Sequence, residues 1–457
     1  MKNKVLVFAS ILTLSLLFTF CSTKQKKSEE PLPVSPETAL QSYLNNDDNS
    51  FAWEIEDEYE LEGVKIYDIL LTSQTWREHV WKHQLTIVVP SENEHDGALL
   101  FVTGGSVKDG MPKWSNKDDE RMLSLAQLAV KNSAIVTILR QTPNQPLYDD
   151  LVEDELISFT LHNFKNDGDY TWPLLFPMVK SAVRAMDVVQ AFSKESLKQP
   201  VNTFTVSGAS KRGWTTWLTG ANDPRVKSIG PMVIDVLNMP VSLDYQIEVW
   251  KEYSVQIEDY VKLEIPQEVG TESGIAISTM VDPYSYRKTL TMPKMIFIGT
   301  NDEYWPVDAI KNYYDSIPGQ NYIHYVPNAG HDLDGGEQAL RALSAFWAHT
   351  LTDTPYPSCT WDLAVEGNIV SLNVAGSEGE VVEAYLWMTD SEDRDFRDEE
   401  WKSVDLKIDG ANNFTKNVKF PNSGYRAFYI DLKYNDPNGG EYTKSTRMFV
   451  LDNDELL

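Results

Sequence analysis

The sequence predicts an α/β protein: a mostly parallel sheet covered by helices on both faces and interrupted by an inserted helical cap, followed by a C-terminal all-β sandwich. Three observations carry that prediction. Short apolar, β-branched runs bounded by turn residues stand at 85–90, 98–103, 134–139, 201–206, 294–299 and 322–326, the texture of strands buried on both faces. Helical patterns alternate with them at 115–131, 173–193, 211–220 and 335–351, and strand alternating with helix implies a parallel sheet. After Pro357 the texture changes to alternating runs at 369–374, 381–388, 403–408, 414–418, 425–434 and 443–451, with turns such as Asp409-Gly410 and no helical pattern. Many short strands in so small a region predict a sandwich.

The chain opens on what reads as an address. Lys2 and Lys4 precede an uncharged, mostly apolar run at 5–20 that is short for a membrane-spanning helix and fits an export signal. Cys21 follows directly and resembles the acylated cysteine of bacterial lipoproteins, although Phe20 stands where a small residue is usual. Lipidation at Cys21, anchoring an exported protein to the cell envelope, is the favoured expectation, with plain secretion and an uncleaved anchor as the alternatives. Residues 21–36, polar and dotted with proline, read as a flexible tether. The expected organisation is therefore a signal peptide at 1–20, the tether at 21–36, an α/β domain at 37–356 with a cap insertion at 238–291 rich in Tyr, Trp, Glu and Ile, and the β-sandwich at 357–457.

Composition limits the possible roles. The 40 Lys plus Arg against 68 Asp plus Glu give a formal charge of −28, which excludes the basic footprint a nucleic-acid binder needs. Two cysteines, Cys21 and Cys359, cannot build a disulfide framework or a cysteine-rich zinc site. His79 and His83 would be about 13 Å apart on a strand, too far to share a metal. The acidic stretch at 390–400 lacks the sixth-position glycine of a calcium loop and contains Arg394 and Arg397. No metal is expected.

The sharpest chemical signal is Val206-Ser207-Gly208-Ala209-Ser210-Lys211-Arg212-Gly213, an apolar strand entering Gly-x-Ser and then a helical pattern. A nucleophilic serine on a strand-to-helix elbow needs small flanking residues because the turn is tight, and the helix N-terminus faces developing negative charge. Arg212 occupies the second glycine of the common Gly-x-Ser-x-Gly pattern, and Gly213 follows one residue later. A serine also needs a base, and the base an orienting carboxylate. The run at 294–299 ends in Thr300-Asn301-Asp302-Glu303, and the run at 322–326 is followed by Pro327-Asn328-Ala329-Gly330-His331. Ser210, Asp302 and His331 thus stand in the chain order Ser, Asp, His, each just past a strand, as in α/β-hydrolases. Asp302 is preferred to Glu303 as the acid because it comes first after the strand. The oxyanion donors are assigned to the amides of Lys211 and of Gly105 or its neighbour Ser106, where another apolar run ends in Gly104-Gly105. Aromatic residues past strand ends, including Trp114, Tyr170, Trp172, Trp214, Tyr304 and Trp305, are candidates for core or for a substrate pocket. Lys211, Arg212 and Arg287 could meet an acidic substrate group or form salt bridges.

Motifs at 40–55, 72–90, 169–187, 206–214, 282–306, 327–331, 394–397 and 424–434 resemble those of the PhoPQ-activated pathogenicity-related protein family, whose members include a secreted proliferation repressor of social amoebae. The resemblance implies an α/β-hydrolase core with a C-terminal β-domain, and it places the elbow serine on Ser210, the acid on Asp302 and the base on His331. The expected function is an exported serine hydrolase acting on an ester, amide or peptide bond of a small-molecule or peptide substrate, without metal or organic cofactor. By fold analogy peptides stand slightly ahead of carbohydrate esters. The alternative is a non-catalytic surface or signalling protein that binds through the hydrolase body.

Overall fold

The computed structural model describes residues 33–457 except 118, 378–380 and 409–411; the signal segment, Cys21 and most of the tether lie outside the described residues. Ser35 to Leu457 form one compact unit. The first nine strands of its main sheet are β1 (Ala52–Leu61), β2 (Val64–Trp76), β3 (His79–Pro90), β4 (Gly97–Val102), β5 (Ile135–Leu139), β6 (Thr203–Ala209), β7 (Val226–Met232), β8 (Lys294–Gly299) and β9 (Asn321–Val326). They lie in the order β1-β2-β3-β5-β4-β6-β7-β8-β9. The first four in this order pair antiparallel, and from β5 to β9 every pairing is parallel. This is the α/β-hydrolase arrangement.

Alternation along the central strands explains the two-faced core. On β4, Ala98, Leu100 and Val102 face one apolar cluster, and Leu99 and Phe101 face the other. Helices cover both faces: α1 (Ala39–Leu44), α2 (Glu120–Asn132), α3 (Glu153–Asp167), α4 (Leu175–Phe192) and α5 (Lys211–Asn222) precede the cap, which contains α6 (Met239–Trp250), α7 (Glu258–Lys262) and α8 (Glu272–Val281), and α9 (Glu337–Leu351) follows β9. Side chains of α4 and α5 pack into the first cluster and those of α2 and α9 into the second. The cap is fastened at its root, because the buried Asp282 carboxylate accepts from the amides of Asn238 (3.3 Å), Met239 (2.7 Å) and Tyr284 (2.9 Å), thereby tying the insertion's entry to its exit.

The C-terminal strands are β10 (Cys359–Glu366), β11 (Ile369–Gly376), β12 (Val381–Ser391), β13 (Lys402–Leu406), β14 (Asn413–Lys419), β15 (Tyr425–Asn435), β16 (Glu441–Ser445) and β17 (Phe449–Leu451). β10, β11 and β14 form a three-stranded sheet. Val370, Leu372 and Val418 of that sheet and Leu386, Phe428, Ile430 and Leu432 of the larger one belong to the same buried cluster, as in a sandwich. The larger sheet does not stand apart: β16 pairs antiparallel with β9 at Ile323 and Ser445, so the central sheet continues through β16-β15-β12-β13. Among the described residues fourteen strands thus share one sheet. Burial pushes the Cys359 thiol up to about 11, which keeps it protonated at neutral pH.

Candidate active site

β6 runs apolar to Gly208-Ala209, and the chain turns at Ser210 into α5. Ser210 sits at φ 58° and ψ −128°, a backbone region that costs an L-residue about 1–3 kcal/mol and persists only where the surroundings impose it. Here they impose it by close approach: a Cβ on Gly208 would lie 2.8 Å from the Val102 carbonyl, and one on Gly213 2.7 Å from that of Met232. The Ser210 amide donates to the same Met232 carbonyl at 2.9 Å. The departure at Arg212 is thereby explained, since contact between helix and sheet falls on Gly213. The Arg212 guanidinium instead lies between the loops after β4 and β5, donating to the Thr142 carbonyl at 2.6 Å and to both oxygens of Glu153, at the start of α3, at 2.8 and 2.7 Å. A Cβ on Gly104 would sit 2.6 Å from the Arg212 Nη2, so a larger residue there would displace the guanidinium from Glu153.

Lys211 is the first residue of α5, and Gly105, at φ 138°, follows the glycine that touches Arg212. The Lys211 ammonium is buried and paired with Glu153 (2.9 Å) and Asp154 (3.1 Å). Burial alone would raise the Glu153 carboxyl, but Arg212 and Lys211 hold it down to about 2. Arg287 lies over the Tyr284 ring, 4.3 Å from its centroid. Of the two expectations for these cations, Lys211 and Arg212 satisfy ion pairing within the protein.

The three predicted polar residues meet. His331 Nδ1 lies 2.9 and 3.1 Å from the two Asp302 oxygens, and Nε2 lies 2.9 Å from Ser210 Oγ. A carboxylate only accepts, so Nδ1 carries the proton and donates, which leaves Nε2 to accept from the serine hydroxyl. Asp302 is 5% exposed and also accepts from the Tyr304 amide at 2.8 Å. Glu303 does something else: its Oε2 accepts the His331 backbone N–H at 3.0 Å, holding the loop that presents the imidazole. Tyr304 stacks on the His331 ring with centroids 4.0 Å apart. A second serine–histidine contact, Ser73 with His83 at 2.9 Å, is wholly buried, and burial lowers the His83 imidazole to about 4; its Nδ1 donates to the Arg140 carbonyl, a structural role.

Sequence reasoning missed how the acid and base loops are held. A segment between β12 and β13 reaches under both. Asn301 Nδ2 is shared among the carbonyls of Phe396 (3.3 Å), Arg397 (3.1 Å) and Glu399 (2.8 Å). Asn328 exchanges two hydrogen bonds with the Trp401 backbone, at 2.7 and 3.1 Å. The cap grips the same acid loop, with Gln246 donating to the Tyr304 carbonyl (2.9 Å) and Ser254 to that of Glu303 (2.6 Å). Arg394 completes the bracket by donating to Tyr245 Oη at 2.6 Å while Tyr245 donates to Asp308 at 2.8 Å. The available signal was the Arg394-Asp395-Phe396-Arg397 motif, which sequence alone could identify but not place.

Ser210 and His331 open on a cavity of about 60 Å³ walled by the cap, α3 and α5. Of the six aromatic candidates, Trp214, Tyr304 and Trp305 line it, whereas Tyr170 packs on Phe164 and Trp172 on Phe159 and Tyr148. Among the described residues no group of three His, Cys, Asp or Glu side chains is arranged to hold a metal ion.

The sheet order and the serine elbow at the end of β6 define a protein of the α/β-hydrolase class. Residues 40–397 match the model of the PhoPQ-activated pathogenicity-related proteins, and the chain belongs to that family. It is similar to autocrine proliferation repressor protein A of Dictyostelium discoideum, with 29% identity over 431 residues covering 87% of this chain and 86% of that one. Among solved structures, an acetyl xylan esterase from a Paenibacillus species aligns with a TM-score of 0.47 and 14% identity over 68% of this chain and 92% of its own. Acetyl xylan esterase 1 from a Thermoanaerobacterium species aligns with a TM-score of 0.47 and 14% identity over 70% and 94%.

Proposed function

We propose that this protein is an exported serine hydrolase that cleaves an ester or amide bond by acyl transfer. One observation carries the proposal: the Ser210–His331–Asp302 chain has donors and acceptors running in the direction catalysis requires, at a serine held in a strained elbow and open to a cavity. Ser210 Oγ attacks the carbonyl carbon as its proton passes to His331 Nε2, and the leaving group then takes that proton. Asp302 fixes the imidazole tautomer and stabilises the imidazolium. The amides of Lys211 and Gly105, or Ser106, receive the negative charge on the carbonyl oxygen. Water attacks the acyl-serine, its proton returning through Nε2 to Oγ.

The test is fluorophosphonate labelling of the purified protein beside Ser210→Ala and His331→Ala. Labelling of the wild type alone is the expected result. An unlabelled, folded wild type supports the second reading, a binding or signalling protein, which the name of the amoebal relative motivates. Export and anchoring through Cys21 belong to the same proposal: Cys21→Ser should release the protein from the membrane fraction, and a soluble wild type would leave plain secretion.

A further inference from the structure

The cavity at Ser210 narrows the substrate class, a step that rests on the hydrolase reading above. Its volume is about 60 Å³, small beside the roughly 300–1,000 Å³ of a pocket that takes a drug-sized ligand. Leu161, Val236, Met239, Leu243 and Ile265 form much of the wall, with Trp214 beside the serine. The carboxylate in the lining, Asp154, is already engaged: Lys211 Nζ lies 3.1 Å away, and the Tyr260 hydroxyl donates to it at 2.9 Å. Glu153 and Asp154 carry −2 and Lys211 and Arg212 +2, so the cluster beside the pocket sums to zero. An ammonium or carboxylate entering there would lose hydration without gaining an unopposed partner.

The cap also resists widening. Beyond the Asp282 staple and the Tyr260–Asp154 bond, Lys165 of α3 donates to the Leu263 carbonyl at 3.2 Å and pairs with Glu268 at 2.7 Å. The side that remains open belongs to the leaving group. That group must take a proton from His331 Nε2, and the His331 side chain is 21% exposed, so it can depart directly into water while the acyl group stays in the apolar cavity.

We infer that the preferred substrate is an ester of a short, uncharged acyl group, with its alcohol facing solvent. The Ser210 Oγ–C bond forms and the C–O bond to the alcohol breaks, the serine proton leaving with the alcohol through Nε2. Water then forms the second C–O bond, the acyl–Oγ bond breaks, and the products are the free acid and the restored hydroxyl.

The experiment measures kcat/KM on p-nitrophenyl esters from acetate to dodecanoate, compares methyl butanoate with the methyl ester of 2-aminobutanoate, and labels Ser210 with fluorophosphonate in parallel. The maximum should fall at hexanoate or shorter, with at least a tenfold drop by decanoate, and the amino ester should be at least tenfold slower than its parent. Leu161→Phe should move the maximum to shorter esters and Leu243→Ala to longer ones, both checked for native circular dichroism. With Ser210 labelled, a flat profile, a maximum at decanoate or beyond, or preference for the amino ester overturns the acyl assignment and leaves the hydrolase standing. A folded but unlabelled protein overturns the hydrolase reading itself.

Discussion

The two halves of the site are positioned by different means. The serine half is local: β6, the glycines at 208 and 213 and the first turn of α5 place Ser210 within one short stretch of chain. The acid–base half is assembled from afar, because Asp302 and His331 ride on loops fastened by the cap and by backbone carbonyls of residues 396–401. A nucleophile can thus be fixed by backbone geometry, whereas its partners here depend on side-chain amides reaching a segment 73 to 98 residues further on.

The largest loss is expected at the acid. Asp302→Asn should lower kcat on the order of 10⁴-fold, because an amide can stabilise the wrong imidazole tautomer. Glu303→Gln, which retains an oxygen to accept the His331 amide, should change it by less than about tenfold; equal losses would reassign the acid. Next in size is the remote bracket. Asn301→Ala removes the donor that three carbonyls share, and it should lower kcat roughly tenfold and stability by about 1–3 kcal/mol with KM little changed. If kcat is unaltered by Asn301→Ala, the bracket does not position the acid.

The smallest effects sharpen the contrast through pH. On the serine side, the folded-state Glu153 carboxyl is held at about 2, below its ordinary 4.5. Its contribution is complete above pH 4.5 and is lost as pH falls through about 2. Near the acid, Asp235 is raised from 3.8 to about 7, first by burial and then by Asp302 and Asp308, against a lowering hydrogen bond from Tyr313. Its contribution is complete below about pH 3.8 and is lost as pH rises through about 7. Glu153→Gln should therefore flatten the acid limb of thermal midpoint against pH, and Asp235→Asn the decline between pH 3.8 and about 7. Flattening of the same limb by both would remove the asymmetry.

What the sequence made legible follows the same division. Ser210, Asp302 and His331 each stand just past an apolar strand, and strand ends are visible as changes of composition. β7 escaped because Gly230-Pro231 interrupts its apolar run, and β1 because its alternation is mostly acidic and exposed. α3, carrying Glu153 and Asp154, is absent from the predicted helices, yet it supplies the counter-charges for Lys211 and Arg212. The acidic segment at 390–400 reads in sequence only as a stretch that lacks the glycine of a calcium loop. Its carbonyls do the fastening, and carbonyls leave no trace in residue type. The β9–β16 pairing was equally hidden, since a single register across so long a separation cannot be inferred from local alternation.

That shared pairing bears on how the gene can be cut. A chain ending near Pro357 would retain the strand with His331 beyond it but would lose β16, baring the β9 edge along Ile323 and Tyr325. An uncovered apolar edge recruits strands from other chains. Truncation would then yield aggregates in place of a smaller hydrolase, while a chain nicked at the same position but otherwise whole would stay together and remain soluble.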